Sequence, residues 1–123
     1  MTHRFSGSAF VLAVRDLQAE RTFYQDILGF EHLQVDAPGW CFMRRDACRI
    51  HLGACPEAMP ASEIGDHSYF AYLYVERIDE LYSQALDKGA DVIKTLTDEP
   101  WHMREFGLRS PGGHRIMVGE PLT

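Results

Sequence analysis

Two tryptophans of this 123-residue chain stand outside its repeating patterns and have the chemistry to hold a flat ligand. Trp40 follows Pro38-Gly39, and Trp101 follows Pro100 just before an alternating stretch. An indole stacks on flat rings and attracts cations through its π face. The two residues therefore indicate the rim of a small-molecule site. The alternatives are that Trp40 fills an interface between subunits and that Trp101 covers the end of a sheet.

Carboxylates close to the tryptophans are candidate contacts for positive charge on a ligand. Asp36 lies four residues before Trp40, and Glu105 lies four residues after Trp101. Each has an alternative role. Asp36 is also typical of a turn, and Glu105 can instead form a structural ion pair with Arg104.

Histidine offers a third kind of chemistry, because imidazole binds divalent metals and titrates near neutral pH. His51 and His102 are candidate metal ligands, and either is a candidate general base beside Glu105. A catalytic metal needs about three protein ligands, so His51 would have to be joined by His67 or His102, both in expected loops. No nucleophile with a paired base is visible. We therefore expect no metal and no other cofactor.

The acidic balance of the chain limits its partners. The formal net charge is −6, which repels nucleic acid and anionic membranes and suits either a cationic ligand or solubility alone. No run of about 18 apolar residues exists for a membrane span, and the start shows no signal-type cleavage region. The three cysteines form an odd set without a CxxC pair, which is typical of reduced thiols. We expect one domain over residues 1–123, located in the cytoplasm.

The chain repeats its own pattern. FVLAVRDLQAERTFYQDILGFEHLQV, from Phe10, corresponds to FAYLYVERIDELYSQALDKGADVIKT, from Phe70, and each reads as strand, helix, glycine and strand. Each is followed by a hairpin whose last strand alternates, RIHLG in the first half and RIMVG in the second. The repeat predicts two βαβββ modules, over about residues 9–55 and 68–120.

Both expected helices carry boundary signals and an apolar side. Asp16 is the expected N-cap of the first helix, and Gly29 and Gly89 end the first and second helices. The second helix has one continuous stripe that must lie on a sheet. The stripe comprises Ile78, Leu81, Tyr82, Ala85 and Leu86.

Alternation along the strands separates a helix side from an open side of each sheet. The open side is expected to collect His51, Phe70, Tyr72, Tyr74 and Met117, together with Met103, Glu105 and Gly107 after Trp101. A sheet face in water does not normally carry so many aromatic residues. This side must therefore close over a small ligand, over a partner subunit, or over both.

Three segments together resemble the vicinal oxygen chelate superfamily, and specifically its bleomycin resistance branch. They are VLAVRDLQAERTFYQDILGF, PGWCFMRRDACRIHLG and EPWHMREFGLRSPGGHRI, within a match from about Ala9 to Val118. The first segment is typical of the whole superfamily, and the PW…REF segment points to the branch. The resemblance implies an α+β fold in which two βαβββ modules form a curved mixed sheet with a ligand cavity, completed across a homodimer.

The resemblance also implies where a metal would bind, because metal-using relatives place ligands at four positions. In this sequence those positions are Ala9, His51, Phe70 and Met117. Only His51 among them can bind a divalent cation, so metal-dependent chemistry is disfavoured.

The resemblance instead implies a binding protein that sequesters a cationic glycopeptide of the bleomycin type without altering it. Relatives hold the drug between two subunits, with acidic residues on its charged tail and aromatic residues on its flat rings. The expected ligand-binding residues are Asp36, Trp40, His51, Phe70, Tyr72, Trp101, His102, Met103, Glu105 and Met117. His102 follows Trp101 where the branch has glycine, which leaves the ligand open. The alternatives are a glyoxalase-type or dioxygenase-type enzyme acting on a small metabolite and a non-enzymatic interaction module.

Overall fold

The computed structural model describes residues 3–4, 6–64 and 68–123. Its elements fall into two modules of the same order. The first comprises β1 (Phe10–Val14), α1 (Leu17–Asp26), β2 (Glu31–Leu33), β3 (Trp40–Arg45) and β4 (Cys48–Ala54). The second comprises β5 (Tyr69–Tyr74), α2 (Ile78–Asp87), β6 (Asp91–Glu99), β7 (Met103–Arg109) and β8 (Arg115–Pro121). A short 3-10 turn, Ala61–Ile64, lies in the connection between them.

Each module forms its own four-stranded mixed sheet. The strand order is β1-β4-β3-β2 in the first sheet and β5-β8-β7-β6 in the second. The first strand of each module pairs in parallel with the last, and the remaining pairs are antiparallel. The parallel pair is possible because the helix supplies the crossover that parallel strands require. The predicted α+β fold of two βαβββ modules is confirmed.

The two helices begin in different ways. Asp16 caps α1 as predicted, because its carboxylate accepts a hydrogen bond from the backbone N–H of Ala19 at 3.1 Å. At the start of α2 the carboxylate of Glu120 accepts the backbone N–H groups of Arg77 and Ile78, at 3.0 and 3.1 Å. Leu86 was predicted to lie in the buried stripe of α2, but it is 49% exposed. Within the described residues, neither helix has the length and apolar character to cross a membrane.

One hydrophobic core joins the helix sides of both sheets. The core takes alternate residues from the strands, as the period of two requires. Its strand members in the first sheet are Leu12, Val14, Cys41, Met43, Ile50 and Leu52, and in the second Ala71, Leu73, Phe106, Leu108, Ile116 and Val118. Because both helix sides contribute to the same core, the other face of each sheet points away from it.

A buried carboxyl group also joins the modules. Glu20 on α1 is only 1% exposed. Its Oε1 accepts the backbone N–H of Gly112 and the hydroxyl of Ser110, both in the turn between β7 and β8, whereas Oε2 has no hydrogen-bond partner among the described residues. Burial raises the pKa of this carboxyl, since desolvation penalises its charged form. Glu20 therefore holds the modules together best when it is protonated.

We expect Glu20→Gln to stabilise the protein at pH 8, by about 1 kcal/mol in the free energy of unfolding. The amide keeps an accepting oxygen and carries no charge to bury. Because the folded-state pKa of Glu20 is raised, its penalty appears as pH rises above the ordinary glutamate pKa. The advantage of the variant should therefore shrink towards pH 4.5. Urea unfolding at both pH values measures it, with exposed Glu57→Gln as the control. A stability difference between Glu20→Gln and the unmodified protein that is the same at both pH values would contradict the raised pKa of Glu20.

Candidate functional site

The open face of the first sheet is a shallow aromatic surface. Across the strands, Val11, His51 and Phe42 are paired in one row, and Ala13, Gly53 and Trp40 in the next. Trp40 stacks in parallel on Phe42, with ring centroids 6.2 Å apart and an interplanar angle of 8°. The edge of Phe42 meets His51 at 4.8 Å between ring centroids. We call this surface face A, and it presents Trp40, Phe42 and His51.

Trp40 lies flat because Gly53 leaves room beneath it. A Cβ placed on Gly53 would come within 2.9 Å of Trp40 Cη2. Such a contact is closer than carbon atoms approach without displacement. Trp40 remains 43% exposed, so one surface of its indole is covered by the strand and the other is available. An indole held in this way is suited to stacking on a flat ring.

The open face of the second sheet, which we call face B, combines aromatic rings with a buried ion pair. Tyr72, Met117 and Gly107 are paired across the strands in one row, and Tyr74, Gly119 and Glu105 in the next. Trp101 lies in the turn between β6 and β7 and is 58% exposed, while Tyr74 is 71% exposed. Face B therefore presents Tyr72, Tyr74, Trp101 and Met117 around the carboxylate of Glu105.

Three side chains donate hydrogen bonds to Glu105. Its Oε1 accepts the hydroxyl of Tyr72 at 2.9 Å and the indole N–H of Trp101 at 3.0 Å. Its Oε2 accepts the ammonium of Lys94 at 2.7 Å. Burial by itself would raise the pKa of Glu105, but the hydrogen bonds from Lys94, Trp101 and Tyr72 outweigh it, so the pKa lies below its ordinary value. The group is therefore an ionised carboxylate at neutral pH.

Lys94 links this carboxylate to a second one. Its ammonium lies 3.1 Å from Glu99 Oε1 and 5.7 Å from the centroid of the Trp101 ring. Burial would lower the pKa of Lys94, but the contacts with Glu105 and Glu99 raise it overall. The same carboxylate affects Tyr72, whose pKa is raised first by burial and then by its hydrogen bond to Glu105. Lys94 stays charged and Tyr72 stays protonated across the neutral range.

The alternative of an Arg104–Glu105 ion pair is not found, and the predicted position of Phe70 is wrong. Arg104 does not pair with Glu105; its guanidinium binds Asp98 at 2.6 Å and Asp79 of α2 at 3.2 Å. Alternation along β7 places Arg104 on the helix side and Glu105 on the open side, which is why they part. Phe70, expected on the open face, instead meets Phe10 at 5.5 Å between ring centroids and packs against the core. A register shift between Tyr69 and Ala71 explains its displacement.

The remaining predicted site residues lie at the edges of these faces. Asp36 is exposed in the loop before β3, and Met103 begins β7 and is half-buried. His102 is exposed in the turn after Trp101, with a left-handed backbone (φ +64°). His67 lies outside the described residues.

The donor set does not fit a metal. In the described part of the chain, no group of three His, Cys, Asp or Glu side chains converges as metal ligands would. Of the four positions at which the resemblance places ligands, Phe70 packs against Phe10 and His114, and His51 meets the ring of Phe42. These contacts are aromatic, so the site is organised for rings.

Two clefts lie along the seam between the modules. One, of about 790 Å³, runs between α1 and the turn after β7, and the other, of about 730 Å³, lies between the β3–β4 turn and α2. Neither is lined by Trp40, Trp101 or Tyr72, but Tyr74 of face B lines the second. The aromatic residues of face A thus lie outside both clefts.

The fold and these faces can be compared with known proteins. A family model described as the Glyoxalase/Bleomycin resistance protein/Dioxygenase superfamily matches residues 8–118. The chain belongs to this superfamily. Uncharacterized proteins of Mycobacterium bovis and Mycobacterium tuberculosis are each 26% identical to it over 91 residues, 74% of this chain. That stretch covers 59% and 52% of their lengths, so the chain spans little more than half of these curated relatives.

Solved structures share the fold. TioX from Micromonospora sp. ML1 superposes with a TM-score of 0.74 at 21% identity, covering 94% of this chain and 100% of TioX. A glyoxalase/bleomycin resistance protein/dioxygenase from Alicyclobacillus acidocaldarius superposes with a TM-score of 0.80 at 15% identity, covering 100% and 96%. Identities this low indicate a common architecture and leave the ligand to be argued from the site.

Phe42, Lys94, Gly53 and Gly119 belong to the site but have no place in the sequence prediction. Lys94 lies in β6, where the pairing register shifts on both sides of it, so alternation alone does not assign its face. Gly53 and Gly119 occupy the same place in RIHLG and RIMVG, and each leaves room for a ring, Trp40 on Gly53 and Tyr72 on Gly119. The repeated glycine was the signal that could have revealed this role.

We expect the methyl group added by Gly53→Ala to displace Trp40 from face A. If the strand moves and Trp40 stays in place, the free energy of unfolding should fall by about 1 to 3 kcal/mol. In a Trp101→Phe background Trp40 is the single tryptophan, so its fluorescence reports the ring. Emission should shift and acrylamide quenching should rise. Ala54→Val, which adds methyl groups to the neighbouring residue on the other side of the strand, is the control. Equal spectra for the two variants would contradict the contact.

Proposed function

We propose that the protein is a metal-independent binding protein of the bleomycin resistance type, which sequesters a ligand with flat rings in a cleft between two copies of the chain. The observation that carries the proposal is the support of Trp40. Its ring lies flat on Gly53 and parallel to Phe42, with its outer surface exposed. This arrangement leaves an unpaired aromatic surface in water, which soluble proteins generally keep for binding.

The second copy follows from the position of the two faces. The helix sides of both sheets share one core, so faces A and B of one chain point away from that core. A ligand enclosed on both sides therefore needs a face from another chain. Val11 on face A is 62% exposed and Tyr74 on face B is 71% exposed, which leaves apolar surface for such a contact. We accordingly propose a homodimer, located in the cytoplasm.

Charge favours a cation over an anion as the ligand, though chiefly at long range. The net charge of −6 attracts cations. Asp36 is exposed in the loop next to Trp40 and is free to approach a charged tail. Glu105 is 3% exposed and already binds Lys94, so it supports the face rather than attracting charge. A bleomycin-like molecule, with flat rings and a cationic tail, satisfies both requirements.

The alternative function, a metal-dependent enzyme of the same superfamily, lacks a favourable donor set. A catalytic metal site takes about three protein ligands. Of Ala9, His51, Phe70 and Met117, one residue carries an imidazole and none carries a carboxylate. Binding without turnover therefore agrees better with the residues present.

We expect bleomycin, titrated into metal-stripped protein, to bind at a ratio near one drug per cleft and to change tryptophan fluorescence. Stacking on an indole alters its emission, and burial of flat rings releases measurable heat. Isothermal titration calorimetry and fluorescence follow both signals. The absence of saturable binding, with and without added divalent metal, would contradict the antibiotic reading.

Trp40→Ala separates a ligand contact from an interface residue. We expect it to weaken drug binding by roughly 30-fold or more, because a central aromatic anchor contributes about 2 kcal/mol or more, while the dimer, followed by sedimentation, persists. Leu86→Ala is the matched control, since Leu86 is exposed on α2, away from both faces. Loss of the dimer in Trp40→Ala would instead assign Trp40 to the interface.

A further inference from the structure

We infer that Glu105 is a positioning residue, which holds the rings of Trp101 and Tyr72 as one fixed aromatic platform on face B. Only the ligand that this platform receives rests on the proposed function; the positioning role of Glu105 does not. The sequence suggested a different role for Glu105, a direct contact for a cation. The geometry around the carboxylate favours positioning.

The first reason is that both oxygens of Glu105 are already occupied. Oε1 accepts from the two aromatic residues, Tyr72 and Trp101, and Oε2 accepts from Lys94. The side chain is only 4% exposed. A cationic ligand could reach the carboxylate only by displacing one of these donors, and the displaced donor would then lose its bond to Glu105.

The second reason is that a single oxygen fixes two rings. A hydrogen bond at one edge of an indole or a phenol removes rotational freedom from an otherwise exposed side chain. Trp101, 58% exposed, has its N–H directed to Oε1, and Tyr72 has its hydroxyl directed to the same atom. One acceptor thus holds both rings. A preorganised platform loses less entropy when a ligand binds.

The third reason is the space reserved for the network. A Cβ on Gly119 would overlap the hydroxyl and ring of Tyr72, and a Cβ on Gly107 would come within 3.3 Å of the side chains of Ile93 and Lys94. Gly119 pairs with Glu105 across β7 and β8. Because neither glycine has a side chain, Tyr72 and Lys94 have room to reach Glu105.

Lys94 supports the platform by binding Glu105, and it shares its ammonium between Glu105 and Glu99. Its ammonium lies 5.7 Å from the centroid of the Trp101 ring, so the protein places its own cation beside the indole. The platform is therefore suited to an uncharged flat ring. In the proposed complex, the flat rings of the ligand stack on the platform and its cationic tail extends past Glu105.

Two double variants separate the accepting oxygen from the charge. Glu105→Gln with Lys94→Met removes both charges and keeps an oxygen for the two rings, whereas Glu105→Leu with Lys94→Met removes the oxygen as well. In a Trp40→Phe background, Trp101 is the single tryptophan. Without ligand, the Gln pair should keep the near-ultraviolet circular dichroism and acrylamide quenching of the parent. The Leu pair should lose the near-ultraviolet circular dichroism, and its acrylamide quenching should rise by about twofold, because the Trp101 ring gains freedom.

Labelled unmodified protein provides a measurement that does not depend on the variants folding. The indole N–H of Trp101, bonded to Glu105, should exchange with solvent about tenfold more slowly than that of Trp40. Trp40 Nε1 has no hydrogen-bond acceptor among the described residues and serves as the internal reference. Equal exchange of the two indole protons, or equal quenching of Trp101 in the Gln and Leu pairs, would overturn the positioning role.

Acridone, a flat and uncharged three-ring molecule, probes the ligand part of the inference in the background that keeps both tryptophans. The Gln pair should bind it like the unmodified protein, and the Leu pair about three- to tenfold more weakly, the effect of losing one hydrogen-bonded anchor. Equal affinity of the two pairs would overturn the platform's role in binding. If unmodified protein binds neither acridone nor bleomycin, the proposed function fails, while the ligand-free measurements still decide the positioning role of Glu105.

Discussion

The hydrophobic core shared by the two sheets is the constraint on which the rest of this structure depends. A module of about 60 residues has little interior of its own, so each sheet gains most by covering its helix side with the other module. Ile50 and Leu52 of the first sheet and Ile116 and Val118 of the second are buried in one cluster. Each sheet keeps its second face open as a result. The proposed binding surface is thus the face that the core does not cover.

The buried carboxyl groups at the seam and on face B have pKa values shifted in opposite directions. At the seam, Glu20 is buried, one of its oxygens has no hydrogen-bond partner within the described part of the chain, and burial raises its pKa. On face B, Glu105 is buried to a similar extent, yet its pKa is lowered because three donors surround it. Burial penalises the charged form of both carboxylates, but the three donors to Glu105, one of them the charged Lys94, outweigh it, whereas the two donors to Glu20 do not. A charged group with a full set of donors can hold side chains in place, whereas Glu20 joins the modules best when it is neutral.

Small residues are as important to the site as aromatic ones. Gly53 and Gly119 stand at corresponding positions in the two modules, and each allows a ring to lie against the strand. The rings occupy this space differently in the two modules. Trp40 lies flat and stacks on Phe42, whereas Tyr72 reaches across Gly119 to the carboxylate of Glu105. One repeated backbone feature thus supports a purely aromatic surface in one module and a hydrogen-bonded one in the other.

The two βαβββ modules, the cap at Asp16 and the alternation that puts Ile50 and His51 on opposite faces were predictable from the sequence, because they follow from local periodicity and capping chemistry. The tertiary structure placed Phe70 against the core, because an irregular register shifts a strand without a sequence signal. It also decided the partners of Glu105. Lys94 and Tyr72 are distant in sequence, and only the pairing of β5, β6, β7 and β8 brings them to one carboxylate. Periodicity assigns a residue to a face, but its contacts across that face depend on strand order and register, which are long-range properties of the fold.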